Sequence, residues 1–325
     1  MRKVLVTRNR IDGEAVQLLR ENGLECIFSP PYTPAPEVIR TAAEERISAI
    51  MVSQGKITED VIAASDALKV IAKHGSGVNN INLRAAETRG IPVYRAVGAN
   101  ALAVAEHAIA LMLALRKSLP KLDTATKGGQ WLKGSFTGSD IAGSRLGLIG
   151  LGSIGRETAR LARALGMEVM AYDPALTAGG EDFVICPDIE TLAATADIIS
   201  LHCPLTPATR HLVDRAFLER MQPHAVLVNT ARGGIVDEDA LADALISGRI
   251  AGAGIDSFES EPPDPAARLW SAPNLIVTPH AAGLTPGSER AMATMAARFI
   301  IDHLAGKDIP AAFRAGADAL GGLTE

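Results

Sequence analysis

Cysteine is scarce: Cys26, Cys186 and Cys203 are the only three in 325 residues. Their odd number and wide separation give no disulfide framework and no metal-ligand spacing, so no metal is expected. Reduced thiols in a cytoplasmic setting are the simplest reading. Long apolar runs are also missing. The most hydrophobic stretch, residues 101–115, is interrupted by Glu106 and His107 and is too short to span a bilayer, so it reads as a buried helix. The opening Met-Arg-Lys-Val-Leu-Val-Thr enters a strand at once and leaves no room for a signal peptide. Nor is there an excess of positive charge. With 32 Lys and Arg against 37 Asp and Glu, the net charge of −5 argues against nucleic acid or a membrane surface as partner. Repeats and low-complexity tracts are absent. What remains, 47% apolar and 21% charged, describes a globular chain with ample core and length for two domains.

Short apolar strands alternate with helical patterns through the first 95 residues. Strands are expected at 3–7, 25–28, 49–52 and 70–72, and helices at 14–21 (Val16, Leu18 and Leu19 inward), 37–45 and 59–64. Such alternation means a parallel sheet with helices on both faces. A long helix at 101–116 opens at Asn100, a good N-cap, and leads toward a second domain. Residues 117–143, carrying Trp131 and Phe136, read as a long irregular segment of the kind often found at interfaces. Later strands are expected at 198–201, 225–229, 252–256 and 275–278. A final helix near 288–304 is expected to return to the N-terminal domain and make it discontinuous.

Between these lies the stretch that organises the chain. Leu146, Leu148 and Ile149 form an apolar run that breaks at Gly150-Leu151-Gly152, and a helical pattern follows from Ile154. Gly150, Gly152 and Gly155 fill a G-x-G-x-x-G spacing in strand–turn–helix context, where the spacing signifies dinucleotide binding. The first glycine permits the turn, the second admits a pyrophosphate, and the third lets helix pack on strand. Free N–H groups at the helix start then face the phosphates. Residues 168–173 form a second strand ending in Asp173, placed to bond the ribose hydroxyls of NAD. No arginine follows closely to meet a 2′-phosphate, so NAD is favoured over NADP.

Ligands of open α/β sheets bind beyond the carboxyl ends of strands. The residues there are His202-Cys203-Pro204, Thr230-Ala231-Arg232-Gly233-Gly234, Asp256 and Pro279-His280, with Glu261 in the loop after Asp256. Oxidation of a hydroxy acid needs a group of near-neutral pKa to take the hydroxyl proton, which suits His280. A carboxylate beside it, Glu261, would favour the protonated ring. A planar cation, Arg232, would polarise a carbonyl and hold a carboxylate in two places. In the first domain, Lys73-His74-Gly75-Ser76-Gly77 follows a strand, and its small residues leave N–H groups free for an anion.

With Gly75-Ser76-Gly77-Val78-Asn79-Asn80-Ile81, Val104-Ala105-Glu106-His107, the glycine turn, His202-Cys203-Pro204-Leu205-Thr206 and above all Asn229-Thr230-Ala231-Arg232-Gly233-Gly234-Ile235-Val236-Asp237-Glu238, the sequence resembles the D-isomer-specific 2-hydroxyacid dehydrogenases. The likeness is to the branch of 3-phosphoglycerate dehydrogenases and glyoxylate/hydroxypyruvate reductases, and it covers nearly the whole chain. It implies an α/β fold of two similar doubly wound parallel-sheet domains. One is a Rossmann-type NAD domain (100–284); the other is a discontinuous, flavodoxin-like substrate domain (1–99 and 285–325). It implies Arg232 as the substrate-polarising cation, His280 as acid/base and Glu261 as its partner. Gly150, Gly152, Ser153, Ile154, Gly155, Asp173, His202, Cys203, Pro204, Thr230, Ala231, Asp256, Val104 and Ala282 would line the NAD site, with Asp256 on the nicotinamide carboxamide. Ser76, Gly77, Asn100 and Lys73 would meet the substrate, a small 2-hydroxy or 2-keto acid. A homodimer built largely on the nucleotide domain is also implied.

Departures from the family pattern narrow the expectation. Asn79 and Asn82 stand where Asp is common, and no arginine lies near the strand end at Val52, which weighs against a phosphorylated substrate. The chain ends at Glu325 without a serine-sensing domain, so serine feedback by that route is not expected. Glu261 in place of Gln disfavours a formate dehydrogenase. The competing class is a non-catalytic, NAD-sensing binding protein of the corepressor type, against which the full Arg–Glu–His set speaks.

Overall fold

The computed structural model describes residues 1–176 and 183–316. In chain order the elements begin β1 (Arg2–Val6), α1 (Gly13–Glu21), β2 (Leu24–Phe28), α2 (Ala35–Glu44), β3 (Ala49–Val52), α3 (Glu59–Ala63), β4 (Val70–Lys73), α4 (Leu83–Thr88) and β5 (Val93–Arg95). There follow α5 (Ala101–Arg116), α6 (Leu119–Lys127), β6 (Arg145–Ile149), α7 (Ser153–Ala164), β7 (Glu168–Tyr172), β8 (Val184–Ile185), α8 (Ile189–Thr195) and β9 (Ile198–Leu201). The chain continues through α9 (Arg215–Arg220), β10 (Val226–Asn229), α10 (Glu238–Ile246), β11 (Gly252–Ile255), β12 (Leu275–Val277), α11 (Pro286–Leu304) and β13 (Arg314–Ala315). These form two compact units, residues 1–100 with 284–325, and residues 101–283.

In the first unit the sheet runs β13-β5-β4-β3-β1-β2. Its strands are parallel except for β13, which pairs antiparallel with β5 at the edge. Every residue of β3 and β4 is buried, as expected of central strands covered on both faces. Helix starts are set by side-chain caps: Asp12, Thr58 and Asn82 each accept a main-chain N–H of α1, α3 and α4 respectively. The inward face of α1 is carried by Ala15 and Leu19, while Val16 and Leu18 are only half-buried; the four-residue spacing selects one stripe of the helix. Helix α11 packs on α1 and β4 and brings the chain back to this unit. Its small buried residues, Ala293, Ala296 and Ala297, let it lie close to the sheet.

In the second unit the sheet order is β12-β11-β10-β9-β6-β7-β8, with its strand pairings parallel. The chain turns one way from β6 to β7 and the other way from β9 onward, so the topological switch point lies between β6 and β9. Helix α5 packs against α7, β10 and β11, which explains its apolarity on nearly every side. The segment 117–143 is less irregular than its composition suggests. It contains α6, a helix with no buried residue and therefore no apolar stripe to betray it.

At the switch point three backbones meet. A Cβ on Gly150, whose φ is +93°, would stand 2.6 Å from Cys203 N, and one on Gly155 would stand 2.3 Å from Gly150 O. Only glycine admits this approach of the turn and helix α7 to the end of β9. The approach covers His202, whose Nε2 meets Ser200 Oγ at 3.0 Å, and burial pushes its pKa down to about 4. An unfolded histidine takes up its proton near pH ~6.5. The folded ring does so only near 4, so its contribution to stability is full above the unfolded value and is lost as pH falls toward 4. For one such group the loss is on the order of 3 kcal/mol. His202→Gln should therefore flatten the fall in urea stability between those pH values relative to the wild type. An unchanged slope would remove His202 as its source.

Candidate active site

The glycine turn is braced by the acid it was expected to precede. Asp173 Oδ2 accepts the N–H of Leu151 at 2.8 Å, Oδ1 accepts that of Ala175 at 2.9 Å, and Gly150 N–H donates to Tyr172 O at 2.9 Å. Asp173 is half-buried just after β7, and its carboxylate keeps lone pairs that these two bonds do not use. Helix α7 starts at Ser153 and Ile154 with Gly152 as N-cap and, among the described residues, no side-chain capping bond. A Cβ at Gly152 would meet nothing within 4 Å. Twelve residues of helix dipole thus end on open space, the environment an anionic pyrophosphate requires. Among the described residues, the buried Thr230 Oγ1 and His202 Nδ1 lack hydrogen-bond partners, and both lie at carboxyl ends of the same sheet. Cys203 and Pro204 follow His202 there. Burial pushes the Cys203 thiol up to about 11, so it stays neutral. These features fit a dinucleotide laid across the carboxyl edge.

The three residues expected to carry chemistry come from three neighbouring strand ends. Arg232 follows β10 on a loop held by Asn229, whose side chain is fully buried and bonds Ala231 N at 3.0 Å and Arg232 O at 2.8 Å. Burial pulls the Arg232 guanidinium below its ordinary value, with the charge of Glu261 opposing. Arginine's reserve keeps it cationic. Glu261 and His280 are in direct contact: Nδ1 of the ring lies 2.9 Å from Oε1 and 2.8 Å from Oε2. Burial pushes the Glu261 carboxyl up. Its bonds from His280 and from Phe258 N–H, together with the charges of His280 and Arg232, outweigh that and leave it below the ordinary carboxylate range. An ionised carboxylate only accepts, so Nδ1 bears the proton shared with Glu261 and Nε2 is left for other work. The His280 side chain is 47% exposed, so Nε2 chemistry has access from outside.

His280 adopts φ +52°, a left-handed conformation uncommon for a residue with a side chain. Its N–H donates to Asp256 O at 2.8 Å and to Thr278 O at 3.0 Å. Asp256, expected on the nicotinamide carboxamide, is fully buried. Its carboxylate accepts from Thr278 Oγ1 (2.5 Å), Ala281 N (2.8 Å) and Ala282 N (3.0 Å). Thr278 Oγ1 in turn meets His107 Nε2 at 3.0 Å. The sequence pattern does not reveal this bracing, since its members stand on or after β11, β12 and α5. Asp256, His280, Ala282 and His107 are each expected near the site from their motifs, but their bonds to one another are not. Val104 is buried on α5 three residues before it.

Residues expected to meet substrate lie in the first unit. Ser76 and Gly77 are half-buried in the turn after β4. Lys73 is buried, and its ammonium donates to Ser53 O at 2.8 Å and Asn80 Oδ1 at 3.0 Å, which ties the ends of β3 and β4 together. Asn82 replaces a common acid at no cost to the turn, because its Oδ1 caps α4 through Ala85 N at 3.0 Å. Asn100 immediately precedes α5.

Comparison with known proteins agrees with this architecture. Residues 109–282 match the family described as D-isomer specific 2-hydroxyacid dehydrogenase, NAD binding domain. The chain is 39% identical over 307 residues to a D-3-phosphoglycerate dehydrogenase of Archaeoglobus fulgidus, a match covering 94% of this chain but only 58% of that one. It is 39% identical over 284 residues to a hydroxypyruvate reductase of Thermotoga maritima, covering 86% of this chain and 91% of the relative. Among solved structures, the TT0316 protein from Thermus thermophilus superimposes with a TM-score of 0.87 at 34% identity, covering 95% and 98% of the two chains. The glycine turn, the paired Glu261 and His280, and these likenesses together establish that the chain belongs to the D-isomer-specific 2-hydroxyacid dehydrogenase family, with that family's NAD-binding domain in its second unit.

Proposed function

We propose that the protein interconverts a small D-2-hydroxy acid and its 2-keto acid with NAD. NAD, when bound, supplies the hydride acceptor and, in reverse, its reduced form the donor. Gly150, Gly152, Ser153, Ile154, Gly155, Asp173, His202, Cys203, Pro204, Thr230, Ala231, Asp256, Val104 and Ala282 would hold it. The Arg232 guanidinium binds the substrate carboxylate and draws electron density from the C2 oxygen, which a planar fork of donors does with two atoms at once. Nε2 of His280 takes the hydroxyl proton on oxidation and returns it to the carbonyl oxygen on reduction. Glu261 fixes the ring through Nδ1 and offsets the imidazolium charge when Nε2 is protonated. Ser76, Gly77, Asn100 and Lys73 would hold the remainder of the substrate.

The observation that carries this reading is the His280–Glu261 contact at 2.8 Å, set beside a cationic Arg232 on the next strand end. Glycerate/hydroxypyruvate and glyoxylate are the favoured substrates. 3-Phosphoglycerate belongs to the same class, though Lys73, just before the substrate turn, already donates to Ser53 and Asn80. Three free cysteines support a reducing, cytoplasmic setting. Among the described residues no helix is long and apolar enough to cross a membrane. A second copy of the chain as partner is supported by α6, which buries nothing. Leu119 at 52% and Trp131 at 78% exposure beside it leave apolar surface that a homodimer would cover.

A panel of 2-keto acids with NADH, read by NADH absorbance, tests the activity; silence across the panel would favour a binding protein instead. His280→Gln should lower kcat on the order of 10²–10⁴-fold while NADH binding, followed by fluorescence, stays near wild type. Turnover close to wild type would remove His280 from its role. For the assembly, Leu119→Ser with Trp131→Ser should shift the sedimentation coefficient from dimer to monomer, and a wild-type monomer at micromolar concentration would refute the dimer.

A further inference from the structure

The loop that carries Glu261 is anchored by residues that no chemical step uses. The main-chain N–H of Glu259 donates to Glu238 Oε1 at 2.6 Å. The Glu259 carboxylate accepts from Arg210 Nη2 at 2.5 Å and from His211 Nε2 at 3.3 Å. Glu238 stands in the first turn of α10, directly after the Arg232 loop. Arg210 lies in the connection after β9, with Nη1 only 3.5 Å from where a Cβ of Gly234 would be, and His211 N–H donates to Gly234 O at 2.8 Å. The segment 258–261 is therefore clamped from two directions while Phe258 N–H holds Glu261 Oε1 at 3.1 Å. A Cβ on Gly233 would fall 1.8 Å from Phe258 C. The loops bearing Arg232 and Glu261 thus touch main chain to main chain, and displacement of one moves the other.

We propose that Glu238 and Arg210 are positioning residues, which fix Glu261 against His280 and set the pair's separation from Arg232. This rests on the catalytic reading of those three residues. The groups facing Glu238 are Glu259 and Glu261 from the loop, Asp239 on its own helix, and Arg210 and His211 through Glu259.

Three variants test the assignment. Glu238→Ala removes both the acceptor and the charge. It should lower kcat on the order of tenfold or more, leave KM within about twofold, and speed amide exchange across residues 258–261. Glu238→Gln keeps an acceptor for Glu259 N–H and should restore most of kcat and the slow exchange. Arg210→Met, at a half-exposed side chain, should reproduce the loss of kcat and the faster exchange, and it decides the matter should Glu238→Ala fail to fold. Wild-type kcat and exchange in the Ala and Met variants would overturn the proposal, as would equal losses in Glu238→Ala and Glu238→Gln. Inactivity of the wild type on every 2-keto acid would defeat the proposed reaction alone. Amide exchange across residues 258–261 reports on the clamp without turnover.

Discussion

The candidate site depends on a buried carboxylate that touches no reacting atom within the unit. Asp256 lies at the end of β11 with no exposed surface, and its charge is met by a hydroxyl and two main-chain N–H groups from the loop after β12. A buried anion without such partners would be prohibitively costly. The loop therefore has little freedom to leave, and the left-handed turn at His280 is held in place by the same set of bonds. His280 can present Nε2 only because Asp256 dictates where its backbone goes. A histidine on a half-exposed loop would otherwise spend much of its time misdirected.

The second unit concentrates such constraints on one edge of one sheet. From β7 to β12, strand ends meet one another through main-chain contact or short side-chain bonds. The glycine turn is tied to β7 through Asp173, the Arg232 loop to the Glu261 loop through Gly233, and the His280 loop to β11 through Asp256. Geometry here is enforced by parallel strands in fixed register, which deliver their carboxyl ends side by side. The chemistry then needs few residues, because the sheet has already set positions as distant in sequence as 232 and 280 on neighbouring strand ends.

Much of this was legible because its causes are local. Gly150, Gly152 and Gly155 are needed where backbones close on one another, and the strands flanking them are short apolar runs. Arg232, Glu261 and His280 could be singled out because each follows a strand and has a side chain suited to proton or anion handling. The missed features have causes that no window of sequence contains. Helix α6 buries no face and so carries no periodic signal, whereas β8 and β13 are two-residue edge strands defined only by their partners. The bracing of Glu259 by Arg210 joins residues 49 apart in the chain, and the bracing role of Asp256 needs the coordinates of the loop it holds. Within α1 the expectation holds for Leu19 but not for Val16 and Leu18: Val and Leu outweigh Ala in hydropathy, although Ala15 shares the buried face with Leu19.

The acid at the end of β7 has a consequence for altering cofactor preference. Asp173 stands where the adenosine ribose is expected, and the same carboxylate holds Leu151 N–H in the middle of the glycine turn. Cofactor discrimination, expected of Asp173, and rigidity of the glycine turn would therefore share one side chain. Exchanging that acid for a neutral residue, to admit a 2′-phosphate, would free an amide that the turn needs satisfied. Evolution or design can separate the two duties only by supplying Leu151 with another acceptor at the same time.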